Sequence, residues 1–309
     1  MPSLMDKVKL VWMDGEMLPA EKATVSVLTH TLHYGTGVFE GIRAYDTPKG
    51  SGIFRLKEHL RRLFNSIHIL GIDMPYTEQE AHEAVLRVVR ENELGSCYIR
   101  PLVYLSADSL GLRAEGLKTR FAIAAWEWGS YLGEEALKTG ISMATSSFAR
   151  HHVNVSMCRG KITGHYVNSF LAVNQALADG YHEALLLDVD GLVAEGAGEN
   201  VFVVKDGVIY TPELTSALDG ITRMTVFRLA EIAGHEVRTC RLTRDDIYVA
   251  DEAFLVGTAA EVTPVARLDR RKIGAGGRGP VTEKIQKLYF DSVHGAIPEL
   301  EGWITYVGD

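Results

Sequence analysis

Three Asp-Gly pairs, Asp14-Gly15, Asp190-Gly191 and Asp206-Gly207, each stand between strand-like runs, and no other feature restricts the fold of this chain as much. Asp-Gly supplies the positive-φ positions of a tight hairpin turn, so the flanking runs read as antiparallel strand pairs. One pair lies near the start and two in the second half, so antiparallel sheet is expected in both halves. Runs at Tyr98 to Leu105 and Phe121 to Trp126 read as further strands. Helical signals are interleaved with them. Thr77-Glu78-Gln79-Glu80 is a capping box that opens a helix to about Asn92. Ile162 to Asp179 and Thr222 to Gly234 have the apolar spacing of two more. The expected fold is α+β in two domains: a small domain 1–126, a linker 127–136 and a larger domain 137–309. A chain of 309 residues with 46% hydrophobic content can fill two such cores.

Charge and hydropathy exclude several functions. The formal charge is -8 and no basic stripe stands out, which argues against a nucleic-acid partner. The N-terminal Met1-Pro2-Ser3-Leu4-Met5-Asp6-Lys7 lacks the apolar stretch of a signal peptide, and nothing approaches the ~18 consecutive apolar residues of a membrane span. A cytoplasmic protein is expected. Cys97, Cys158 and Cys240 are far apart and form no Cys-x-x-Cys, in keeping with a reducing compartment. Cys158 reads as a small core residue. The close pairs His30/His33 and His151/His152 have no carboxylate or cysteine to complete a ligand set, so no metal is expected. Gly274-Ala275-Gly276-Gly277-Arg278-Gly279 matches a dinucleotide-binding pattern literally. The charged Asp269-Arg270-Arg271-Lys272 stands where a buried strand would be needed, so the segment reads as a surface loop before a helix near Pro280.

The chemistry lies in a lysine, a glutamate and two turns. A lysine amine attacks an aldehyde when it is unprotonated, which partial desolvation favours, and the product is a Schiff base. Lys161, in Arg159-Gly160-Lys161-Ile162-Thr163-Gly164-His165-Tyr166, suits that role, with glycines on both sides leaving room for a flat ring and Tyr166 within reach of it. A pyridine ring withdraws electrons only while its nitrogen stays protonated, which a buried carboxylate favours. Glu195, in the run Glu195-Gly196-Ala197-Gly198-Glu199-Asn200, is the candidate. A phosphate needs converging N–H groups, hydroxyls and a cation. Gly220-Ile221-Thr222 opens a helix whose first N–H groups face the turn, Thr258 adds a hydroxyl after the apolar run Ala253 to Val256, and Arg55 adds the charge. Pyridoxal 5'-phosphate (PLP) meets this whole set of requirements.

These segments, together with His33 to Arg43, Tyr98-Ile99-Arg100-Pro101 and Gly257-Thr258-Ala259-Ala260-Glu261, make the chain resemble the branched-chain amino-acid aminotransferases of the fold-type IV PLP enzymes over nearly its whole length. The resemblance implies a cofactor between the two domains, with Lys161 as the Schiff-base lysine and Glu195 as the ring-nitrogen partner. It also implies that Tyr166 bonds the phenolic oxygen and that Arg55, Gly220, Ile221, Thr222 and Thr258 form the phosphate cradle. A ring of aromatic residues with one cation would accept either a branched side chain or a glutamate carboxylate. Tyr34, Phe39, Tyr98, Trp128 and Tyr131 with Arg100 fit that description, and the resemblance implies that they line the pocket. The backbone of Thr258-Ala259-Ala260 would take the α-carboxylate. The implied reaction is ping-pong transamination between leucine, isoleucine or valine and 2-oxoglutarate, in a homo-oligomer built from dimers with loop contacts at the active site.

The chain departs from the family pattern at His165, where asparagine or a similar small polar residue is expected, and in the Ser109 to Gly116 loop. A D-amino-acid transaminase or an aminodeoxychorismate lyase would use the same frame, but Tyr34 to Arg43 and Tyr98-Ile99-Arg100 match the branched-chain pattern better. A non-catalytic PLP or amino-acid binding protein would be expected to lack Lys161 or Glu195.

Overall fold

The computed structural model describes residues 3–113, 115–129, 133 and 135–308. Contacts divide the chain into two compact units, one of Met1–Trp128, Gly160–His165 and Ser292–Asp309, the other of Gly129–Arg159 and Tyr166–Asp291.

The first unit is one antiparallel sheet, ordered Ile304–Tyr306, Gly50–Phe54, Ile42–Thr47, Cys97–Leu105, Thr119–Trp126, Leu10–Met13, Glu16–Pro19. The short strand Gly37–Phe39 also pairs with Cys97–Leu105. Helices Leu56–Leu70 and Glu78–Glu91 share one core with the sheet: Leu56, Leu60, Leu63 and Ile67 of the first and Ala81, Val85, Val88 and Val89 of the second pack with Ile42, Ile53, Ile99 and Ile123. Those positions recur every three or four residues, so each helix buries one stripe. Each fully buried leucine or isoleucine contributes about 1.5–3 kcal/mol. The expected capping box forms, with Thr77 Oγ1 accepting the Glu80 N–H and the Glu80 carboxylate accepting the Thr77 N–H. Asp14 and Gly15 have φ of 50° and 99° between Leu10–Met13 and Glu16–Pro19, as the hairpin reading requires.

The second unit holds a mixed sheet, ordered Val193–Gly196, Glu183–Leu187, Ile141–Thr145, Glu261–Leu268, Glu252–Gly257, Asn200–Lys205, Val208–Pro212, Val237–Cys240. The turns at Asp190-Gly191 and Asp206-Gly207 join antiparallel pairs as expected. Three neighbouring pairs are parallel, however: Ile141–Thr145 with Glu183–Leu187 and with Glu261–Leu268, and Val208–Pro212 with Val237–Cys240. Parallel neighbours require a long crossover. Helix Tyr166–Ala178 lies in the connection from Ile141–Thr145 to Glu183–Leu187, and Ile221–Ala233 in that from Val208–Pro212 to Val237–Cys240. Both helices named by the chemistry of the sequence therefore begin beyond the carboxyl end of a parallel strand, where ligand-binding residues in such sheets collect. Gly234 at φ 76° ends the second helix.

The units do not follow the boundaries expected from sequence, because two later segments pair with the first sheet. Ile162 bridges Val38, and Ile304–Tyr306 lies antiparallel to Gly50–Phe54. Lys161 thus packs with the N-terminal unit. Among the described residues no helix is long and apolar enough to cross a membrane.

Candidate active site

Lys161 is held by its backbone on both sides. Its N–H donates to Ser66 Oγ at 3.0 Å, and its carbonyl accepts the Phe39 N–H at 3.1 Å. Its Nζ lies 4.9 Å from the Phe39 ring centroid. Glycines at and opposite this segment have a packing role. A Cβ on Gly35, at φ 66°, would come within 2.6 Å of Gly164 Cα, and one on Gly160 would press on Ile162 and Ile69. The glycines let the lysine segment lie against the first unit.

Phe39 carries Arg100 as well, whose guanidinium carbon is 4.7 Å from the ring centroid. Arg100 Nη2 donates to Tyr98 Oη at 3.0 Å, and Trp128 packs edge-on against Tyr98 at 4.6 Å. Gly41 makes room for this group, since a Cβ there would sit 2.0 Å from Tyr98 Oη. Four of the expected pocket residues, Phe39, Tyr98, Arg100 and Trp128, are therefore together. Tyr34 is exposed on another element, its ring 4.6 Å from that of His30. His30 Nε2 donates to the Gly111 carbonyl, which ties Gly111 to the same helix. Tyr131 lies outside the described residues.

Next to Phe39 is a charge cluster with no sequence signal. The buried Glu40 carboxylate accepts from Arg62 Nε and Nη2 at 2.6 and 2.9 Å and from His59 Nδ1 at 2.8 Å. Burial alone would raise the Glu40 pKa, but Arg62 and His59 outweigh it and hold the group well below the usual carboxylate range. His59 is pushed down by its own burial, against the pull of Glu40. Arg55 is also fixed in advance. It has φ 53° at the N-cap of Leu56–Leu70, pairs with Glu58 at 2.9 Å, and lies 4.5 Å from the Trp303 ring centroid.

In the second unit Glu195 is 4% exposed. Its Oε2 accepts the Leu218 N–H at 3.0 Å, and its Oε1 is 2.8 Å from Arg150 Nε, a buried ion pair that the sequence alone did not reveal. Asn200 Nδ2 donates to the Leu218 carbonyl at 2.9 Å, so both peptide groups of Leu218 are clamped two residues before Gly220. Gly220 is the N-cap of Ile221–Ala233 and, as a glycine, makes no side-chain cap for that helix. A Cβ at Gly220 would lie 1.9 Å from Asn200 Oδ1. Glycine brings the backbone close at the helix start, where N–H groups and the positive dipole end favour an anion. Thr222 is buried in its first turn. Thr258, Ala259 and Ala260 connect the paired strands Glu252–Gly257 and Glu261–Leu268, and Gly257 lies against Gly198 and Glu199. The ring-nitrogen candidate and the two turns expected to hold a phosphate thus belong to one packed group. Tyr166 is half-buried at the first position of its helix, with His165 buried before it.

The Amino-transferase class IV family model matches residues 37–268. The chain is 56% identical over 305 residues to the branched-chain-amino-acid aminotransferase of Pseudomonas aeruginosa, covering 99% of each protein. The chain belongs to the class IV aminotransferases. Within that family it is also 45% identical to the branched-chain-amino-acid aminotransferase of Escherichia coli strain K12, over 97% of this chain and 98% of that one. The T.th. branched-chain amino acid aminotransferase with pyridoxamine 5'-phosphate superposes with a TM-score of 0.95 at 52% identity, over 97% of this chain and 99% of that one. Structures of that enzyme complexed with N-(5'-phosphopyridoxyl)-L-glutamate and with 4-methylvaleric acid match at 50% identity and TM-score 0.93, with the same coverage of each chain. The fold of this aminotransferase is accordingly that of its family, a mixture of helices and strands as the α+β reading expected.

Proposed function

We propose that this aminotransferase moves the amino group of L-leucine, L-isoleucine or L-valine to 2-oxoglutarate with PLP as cofactor. The observation that carries the substrate reading is the Arg100 guanidinium held over Phe39 and bonded to Tyr98 beside Trp128. Aromatic faces suit a branched hydrocarbon, and a guanidinium suits a carboxylate in the same space. Ligands of the T.th. relative, a phosphopyridoxyl-glutamate and 4-methylvaleric acid, have these two chemistries.

The residues present fit PLP. The uncapped helix start at Gly220, with no room for a Cβ, suits a phosphate, and the buried Glu195 suits a protonated pyridine nitrogen. When bound, PLP would supply the carrier for the amino group and a ring that withdraws electrons from the substrate Cα. Lys161 Nζ anchors the cofactor, then takes the proton from the substrate Cα and returns it as general base and acid. Glu195 holds the proton at the ring nitrogen, and Tyr166 orients the phenolic oxygen. Arg55, Ile221, Thr222 and Thr258 hold the phosphate. The N–H groups of Thr258, Ala259 and Ala260 take the α-carboxylate, while Tyr34, Phe39, Tyr98 and Trp128 enclose the side chain. The pyridoxal form should lose its absorbance band on addition of leucine alone and regain it with 2-oxoglutarate. A band that ignores leucine but responds to D-alanine would transfer the chain to the D-amino-acid reading.

The cytoplasm is the proposed location and a homo-oligomer built from dimers the proposed state. Val167, Phe170 and Leu177 of helix Tyr166–Ala178 are more than half exposed, an apolar stripe that suits a second copy of the chain. Loop contacts at the active site, Ser109 to Gly116 among them, belong to the same proposal.

A further inference from the structure

We propose that Arg150 is a positioning residue that ties Glu195 to the helix bearing Tyr166, so that two cofactor contacts are set by one guanidinium. The inference rests on the PLP reading above and concerns what holds Glu195 in place.

Arg150 is 5% exposed. Its Nε lies 2.8 Å from Glu195 Oε1, with the N–H off the line to that oxygen, so the contact is an ion pair and not a linear hydrogen bond. Its Nη1 donates to Asn168 Oδ1 at 3.2 Å and to Ser169 Oγ at 3.3 Å. Asn168 and Ser169 lie in the first turn of Tyr166–Ala178. The Arg150 backbone is fixed too, since its N–H donates to the Leu187 carbonyl at 2.7 Å, at the end of Glu183–Leu187. Glu195 pairs with Leu186 of that same strand. One planar group therefore spans from the strand that carries the proposed ring-nitrogen partner to the helix that carries the proposed phenolic-oxygen partner.

A guanidinium has a fixed fork of donors, which a lysine amine cannot reproduce. It also supplies the counter-charge for a carboxylate buried away from water, and a buried ion pair that loses one partner leaves the other uncompensated. Such a brace is most useful beside a ring nitrogen, because a small rotation of the carboxylate would remove it from the line of that N–H.

The test is PLP binding to apoenzyme, read by fluorescence titration, together with the 15N signal of ring-labelled PLP in the holoenzyme. Parent, R150M, R150K and E195Q are compared. R150M is expected to raise the PLP Kd by about 100-fold or more, as for truncation of one partner of a buried charge pair. Its 15N signal should move toward that of an unprotonated pyridine, with only partial recovery in R150K. Parental affinity and an unchanged 15N signal in R150M would overturn the inference and leave Arg150 as a brace of the fold alone. Should R150M fail to fold, R150K decides: it keeps the charge but cannot grip both partners, and a Kd within about twofold of parent overturns the proposal. E195Q separates the two levels. If E195Q leaves affinity and 15N signal unchanged, the ring-nitrogen reading of Glu195 falls; if E195Q shifts both and R150M neither, only the role of Arg150 falls.

Discussion

Glu183 is 1% exposed at the start of Glu183–Leu187, and burial pushes its pKa up to about 7 from 4.5, against hydrogen bonds from the Ala184 and Ala197 N–H groups. Ala197 belongs to the turn after Glu195, so this carboxyl is bonded to the backbone of that turn. Below pH 4.5 both the folded and unfolded chains hold the proton, and the group has no effect on stability. Between 4.5 and about 7 the folded chain keeps a proton that the unfolded chain has lost, so stability falls as pH rises. Above that window the cost is complete, at about 3 kcal/mol on the order of 1.4 kcal/mol per unit. Glu183→Gln stays neutral and removes the pH-dependent part, whatever constant cost its amide adds. For a domain of this size about 3 kcal/mol corresponds to roughly 6–12 °C in Tm. Calorimetry at pH 5 and pH 8 should show the Tm of Glu183→Gln gaining on the parent by about that amount at the higher pH. The same Tm difference between the two proteins at both pH values would refute the reasoning.

Two other substitutions bear on the site itself. Arg100→Leu should damage the glutamate half-reaction by about 2–5 kcal/mol and the leucine half-reaction far less, because only the first leaves a desolvated carboxylate unpaired; single-turnover absorbance with each amino acid checks this, and equal losses would make Arg100 a strand residue. Gly220→Ala places a Cβ 1.9 Å from Asn200 Oδ1, so the helix start must shift. PLP affinity should fall, with overpacking of this kind costing about 1–3 kcal/mol, and titration of the apoenzyme at parental affinity would remove Gly220 from the phosphate cradle.

Local features were legible in the sequence because their causes are local. The Asp14-Gly15 and Asp206-Gly207 turns, the Thr77 capping box and the Gly220 and Gly234 limits of a helix each depend on a few neighbouring residues. The proposed chemistry also rests on short runs, since Lys161, Glu195 and Gly220-Ile221-Thr222 each stand in a local segment that can be picked out by itself. What could not be read depends on distant pairings. Ile304–Tyr306 returns to Gly50–Phe54 across most of the chain, and Ile162 bridges Val38, so the unit boundaries do not follow the one linker visible in sequence. Parallel pairing of Ile141–Thr145 with two strands has no turn to announce it. Arg150 and Glu40 were missed because a charged residue is usually solvated, and only the fold buries these two against partners.

The central claim is that Lys161 carries amino-group transfer from a branched-chain amino acid to 2-oxoglutarate. The most direct measurement follows the label of 15N-leucine by mass spectrometry, in the presence of PLP and 2-oxoglutarate, with the parent chain and with Lys161→Ala. The parent is expected to yield 15N-glutamate, and Lys161→Ala is expected to be slower by at least about 10²–10⁴, the usual contribution of a positioned proton-transfer group. Label transfer by Lys161→Ala at the parental rate, or none by the parent, would contradict the account.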